Sequence, residues 1–154
     1  MHQSFLKLWI IGVLAVLIGG VLAWQYFGIS GQESEKEIQA GFFEGSLGYP
    51  SEFIPSDMKV CAENIATGEE YCTEDHIKDS KYTNREGYKI EVPANTYYIF
   101  SVLPSRGDYK AYYSEFVICG LKAECLSHKP IPVKVREGEL VSGIDPLDWY
   151  KPLE

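Results

Sequence analysis

Polar positions all but vanish near the start of the chain. From Leu8 to Trp24 it reads LWIIGVLAVLIGGVLAW, seventeen residues without a charge, and Gln25 to Ile29 prolong the run at low polarity. At about 1.5 Å of rise per residue, such a run covers most of a hydrocarbon core about 30 Å thick. A helix is the one single-segment structure that satisfies its own backbone in lipid. The pattern therefore predicts a cytoplasmic tip and transmembrane helix over residues 1–29, with residues 8–27 in the membrane. Lys7 precedes the run and Glu33, Glu35 and Glu37 come after it. The positive-inside tendency then leaves the N-terminus in the cytoplasm and sends the rest of the chain to the periplasmic or extracellular side of a single-pass protein. Trp24, Tyr26 and Phe27 would form a belt at the outer interface. A cleaved signal peptide is the alternative, because Val21-Leu22-Ala23 offers small residues where a peptidase needs them. Both readings export the remainder of the chain.

Residues 30–40, SGQESEKEIQA, have the polar, aromatic-free composition of a spacer. Beyond them, over residues 41–154, runs rich in Tyr, Val, Ile and Phe alternate with Gly, Pro, Asn, Asp and Ser every eight to fifteen residues. That spacing predicts a single all-β domain, an antiparallel sandwich. The expected strands are 41–48, 57–64, 69–74, 87–92, 96–103, 110–118, 131–136 and 139–144. In Tyr88-Lys89-Ile90-Glu91-Val92 the apolar residues share one face and the charges the other, the signature of a half-buried strand. Residues Tyr97 to Leu103 are apolar on both faces, as in a central strand whose outer face is covered or offers a binding surface.

All four cysteines, Cys61, Cys72, Cys119 and Cys125, lie in the exported part, where an even count favours disulfides. If Ile65-Ala66-Thr67-Gly68 is a four-residue hairpin loop, Cys61 faces Cys72 across the pair while Val60 and Ala62 point to the core. Cys119 and Cys125 would close a tight loop after the preceding strand. Each bridge is worth on the order of 2–3 kcal/mol in the chain-entropy model.

Charge narrows the partners. Of the 14 basic residues only Lys7 precedes Glu33, so thirteen stand against all 22 acidic ones in the distal part, a net −9. That balance argues against nucleic acid, which needs clustered Lys and Arg. It reads instead as a solvated acidic surface.

Gly41-Phe42-Phe43-Glu44-Gly45, Pro50, Pro55, Met58 to Asn64, and Gly87 to Ile99 with its Val92-Pro93-Ala94-Asn95-Thr96-Tyr97 core, followed by Gly138, Val141 and Ile144-Asp145, form an ordered set. This set resembles the carboxypeptidase regulatory-like, or transthyretin-like, β-sandwich over residues 41–145. The resemblance implies a prealbumin-like sandwich of seven or eight strands and a non-catalytic accessory or adhesive module. Asn95 stands where the family places glycine; asparagine is the next best residue for a left-handed turn. The cysteines have no counterpart in the family pattern.

No catalytic signature emerges, and no cofactor is implied. Ser114-Glu115 and Ser127-His128 are neighbours in sequence, which on a strand point to opposite faces. Asp145 and Asp148 read as turn residues. His76, Cys119, Cys125 and His128 are the residue types of a zinc site or of a divergent hydrolase, the alternative to disulfide pairing. Aromatics are abundant, and Tyr97, Tyr98, Tyr112, Tyr113, Trp149 and Tyr150 are the candidate ligand surface, against the alternative that they fill the core. The expectation is a non-enzymatic module contacting an envelope protein or a glycan.

Overall fold

The computed structural model describes residues 40–150; the apolar segment 8–27 and the spacer to residue 39 lie outside the described residues. Among the described residues no helix is long and apolar enough to cross a membrane. Within them nine strands run in order: β1 Ala40–Ser46, β2 Lys59–Asn64, β3 Glu70–Thr73, β4 Ile77–Lys78, β5 Glu86–Pro93, β6 Asn95–Val102, β7 Lys110–Tyr112, β8 Val133–Val135 and β9 Leu140–Val141. A 3₁₀ turn, Pro104–Arg106, precedes β7, and one helical turn, α1 Glu115–Ile118, comes after it.

The strands form two sheets. One has the order β4-β5-β1-β9; the other runs β3-β2-β6-β7, with β8 also paired to β6. β6 is longer than either neighbour on its second edge, so β7 pairs with Phe100 to Val102 and β8 with Asn95 to Tyr97. The Tyr113 amide donates to the Ile99 carbonyl at 2.8 Å and closes the gap between them. Pairing is antiparallel except for β1 with β9, which is parallel.

Phe43, Tyr88, Ile90 and Val92 from the first sheet meet Val60, Ala62, Tyr97, Ile99, Val133 and Val135 from the second in one buried cluster, which Leu47, Met58, Leu103 and Ile144 extend. The alternation read in residues 88–92 is the cause: Lys89 and Glu91 remain outside. The polar tips of the two tyrosines buried between the sheets have fixed partners. The Tyr88 hydroxyl donates to the Ile144 carbonyl and that of Tyr97 to the Pro93 carbonyl, each at 2.7 Å. Burial pushes the Tyr97 phenol up to about 12.

Both disulfides are present, Cys61–Cys72 and Cys119–Cys125. Cys61 faces Cys72 in the β2–β3 register, with Cα atoms 4.1 Å apart, the close spacing of a pair that exchanges no backbone hydrogen bonds. Gly68 carries the positive φ, +74°, that the hairpin loop requires.

The expected strand 110–118 is corrected. It ends at Tyr112, and residues 115–118 turn helically. Val117 and Ile118 favour strands, yet the amides of both donate to the Ser114 carbonyl, and Glu115 sits in the first turn where a helix end favours negative charge. Asn95 is corrected too: its φ is not positive. β5 and β6 belong to different sheets, so Ala94 is a corner between sheets and needs no left-handed residue. The Asn95 side chain accepts the Thr96 amide instead. β4 is an addition, two residues long.

Candidate functional site: a cleft at the loop end

Where β1 leaves its sheet, the chain is pinned on both sides. The Leu47 amide donates to the Glu86 carbonyl, Asn84 Nδ2 to the Leu47 carbonyl and Trp149 Nε1 to the Gly48 carbonyl, all at 2.8 Å. The next segment is bracketed by Pro50 and Pro55 and tied by short bonds: the Ser51 amide to the Tyr49 carbonyl and Ser51 Oγ to the Phe53 carbonyl, both 2.7 Å. Between this loop and β4 opens a cleft of about 350 Å³ lined by Tyr49, Ser51, Glu52, Phe53, Ile54, Lys78, Asn84 and Glu86. Its volume falls at the lower end of the range of about 300–1,000 Å³ for small-molecule sites.

The aromatic wall is braced from behind. Tyr49 meets Trp149 edge to face at 5.1 Å, and Trp149 stacks on Tyr109 at 6.0 Å. Arg106 donates to the Tyr49 hydroxyl at 2.9 Å, and its guanidinium carbon lies 5.6 Å from the ring centre. Phe53, by contrast, is 77 % exposed, a large apolar ring standing in water at the cleft mouth.

Glu86 forms the opposite, polar side and is itself buried. Its Oε1 faces His76 Nδ1 at 2.7 Å, and its Oε2 takes Lys78 Nζ. His76 Nε2 donates to the Met58 carbonyl at 2.9 Å, so the ring is held at both ends. Burial raises the Glu86 carboxyl, but the Lys78 and His76 hydrogen bonds outweigh it, and the net shift is downward from the ordinary 4.5. A carboxyl depressed in the folded state stabilises fully above its unfolded pKa and ceases to do so as pH falls through the folded one. Titrating the denaturation midpoint downward from pH 4.5 should therefore show an acid loss that Glu86→Gln reduces; an unchanged acid limb in the variant would refute the assignment.

The residues expected to form one ligand surface are dispersed. Tyr97 is in the core. Tyr98 and Tyr112 meet edge to face at 6.4 Å on the outer side of the second sheet. Tyr113 and Trp149 pack against the core from its margin, and Tyr150 is exposed beside Phe116. The outer sheet face is covered by its own side chains: Lys110 lies 4.2 Å above the Phe100 ring and reaches Glu70 at 2.7 Å and Glu63 at 3.1 Å. Phe100 and Cys61 are buried although they point outward.

The zinc or hydrolase grouping is not brought together either. His76 is engaged with Met58 and Glu86. The sulfurs of Cys119 and Cys125 are joined to one another, which removes both thiolates. His128 Nδ1 donates to Asp148, at 2.9 and 3.0 Å from the two carboxylate oxygens, and its ring stacks on Phe116 at 4.4 Å. Ser114 Oγ donates to the same carboxylate at 2.6 Å. These are three residue types of a hydrolytic triad in the wrong order, since the serine contacts the acid and not the base, and Ser114 is fully buried. The trio is a structural latch. Among the described residues the one cluster with ligand-like spacing is Cys61, Glu70 and Cys72, and its two sulfurs are also joined.

Sequence reasoning missed the cleft. The available signal was Phe53, an aromatic beside Ile54 in a short loop bracketed by two prolines. No protein-family model, no curated protein and no solved structure matches this chain.

Proposed function

We propose that this chain is a non-catalytic binding module of the cell envelope. Residues 8–27 hold it to the membrane with the N-terminus in the cytoplasm, and its domain, a sandwich of the transthyretin-like kind, stands in the periplasm or outside the cell and engages an envelope protein or a glycan. The observation that carries this reading is the loop-end cleft, where one ring stands exposed to solvent beside polar groups already fixed in place. So exposed a ring adds little to the stability of the free fold, and what sets Phe53 apart from other exposed apolar side chains is its place on a cleft of ligand size. The two disulfides fit an oxidising compartment. Disulfide pairing and the wrong-order latch speak against turnover.

A photoreactive side chain at position 53 in the full-length protein, irradiated in native membranes, should yield adducts with one recurring envelope component. The same group at Leu140, exposed on the far edge strand, should not. Equal labelling from both positions, or substrate turnover that a single substitution in the β domain abolishes, would refute the proposal.

A further inference from the structure

Building on the binding-module reading, we infer that the cleft is a carbohydrate site that takes a neutral oligosaccharide. Three features of the cleft point to this class. The first is its mixture of surfaces: Tyr49, Phe53 and Ile54 are apolar, while Ser51, Glu52, Lys78, Asn84 and Glu86 present hydroxyl, amide, carboxylate and ammonium groups to the same space. A pyranose ring has the matching division, with C–H groups over its faces and hydroxyls, each both donor and acceptor, around its edge. Flat side chains with a polar rim bury such faces at low entropic cost.

The second is charge. Glu52 and Glu86 against Lys78 leave the lining slightly negative, which repels phosphate, sulfate and uronate groups. Lys78 is paired to Glu86 and so is not left over as an anion-binding point. A wholly apolar ligand would displace water from Glu86, Lys78 and Asn84 without replacing its hydrogen bonds, a cost that hydroxyls avoid.

The third is preorganisation. Tyr49 is held by Trp149 and Arg106, Glu86 by His76 and Lys78, and the 50–55 loop by two prolines and its internal hydrogen bonds. Groups already fixed lose little freedom when a ligand arrives. Phe53 is then the residue that closes over the outer sugar face, which accounts for an exposure of 77 % in the free protein.

The test uses the full chain in lipid nanodiscs and three soluble tetrasaccharides: one of glucose, one of N-acetylglucosamine and one of galacturonic acid. Saturation-transfer NMR and calorimetry should detect binding of at least one of the two neutral probes. Phe53→Ala should weaken it by about tenfold or more with the melting temperature unchanged, because so exposed a ring contributes little to the free fold. Tyr98→Ala, on the outer sheet face, should leave it intact. Binding of none of the probes, binding of the uronate alone, or binding indifferent to Phe53→Ala overturns the inference. If no sugar binds while the photoreactive group at position 53 captures a single protein, the carbohydrate assignment falls and the binding-module reading stands; if both fail, both fall.

Discussion

Gly45→Ala is expected to cost on the order of 4 kcal/mol, a large share of the about 5–15 kcal/mol that holds a typical domain folded. A methyl group at residue 45 would overlap the carbonyl of Ile144 and lie 2.8 Å from Asp145 Oδ1. That stretch of backbone cannot retreat cheaply. The Ile144 amide donates to the Glu44 carbonyl at 3.1 Å, the buried Tyr88 hydroxyl donates to the Ile144 carbonyl, and Asp145 Oδ1 accepts the Ser46 amide at 2.6 Å. Moving it aside breaks all three at once and strands a buried phenol. Gly48→Ala is the comparison. Its added methyl meets the end of the Leu147 side chain at 2.9 Å and Asn84 Nδ2 at 3.1 Å, groups that can shift, so a cost of about 1 kcal/mol is expected. Urea unfolding of the two variants decides the matter; equal midpoints would show that residues 144–145 are not held as described.

Asp148→Ala should be the second severe substitution, at about 3–5 kcal/mol. Its carboxylate is 2 % exposed and accepts both from Ser114 Oγ and from His128 Nδ1. Removing it leaves two donors without an acceptor, one of them fully buried. The same residue ties the C-terminal segment to the second sheet, since its amide donates to the Tyr112 carbonyl at 3.3 Å and its carbonyl accepts from the Tyr109 hydroxyl at 3.2 Å. Ser114→Ala removes one donor and keeps the His128 contact, so it should cost only about 1 kcal/mol. A double-mutant cycle on Ser114 and Asp148 measures their coupling in equilibrium unfolding. Additive effects would mean that the latch does not act as a unit.

Local pattern carried the β architecture. Alternation at residues 88–92 told which side of β5 is buried, because a strand's side chains change face at every step and only one face can be dry. The Cys61–Cys72 pairing came from loop length alone: once four residues close a hairpin, the partners four places out are determined. The Cys119–Cys125 loop was legible from its tight spacing and the expected compartment. The 110–118 run failed because Val117 and Ile118 have strand propensity, whereas the carbonyl of Ser114 and the carboxylate of Asp148, thirty-four residues away, shape that turn. Asn95 failed because a corner between sheets and a hairpin turn read alike in one dimension. The tyrosines misled for a similar reason: aromatic composition counts rings, and only packing sends Tyr97 inward, Tyr98 outward and Trp149 to the back of Tyr49.

By itself, the sequence determined the strand-forming runs, the buried face of the clearest of them, both cysteine pairs, and the acidic balance of the chain. These depend on neighbours along the chain or on sums over it. Only the tertiary structure decided that β1 and β9 run parallel, that Gly45 must lack a side chain, that Ser114, His128 and Asp148 form a latch, and that Tyr49, Phe53 and Glu86 face one space. Each of those unites residues tens of positions apart, and distance along the chain holds no record of which distant groups the burial of one core will bring within a few ångströms.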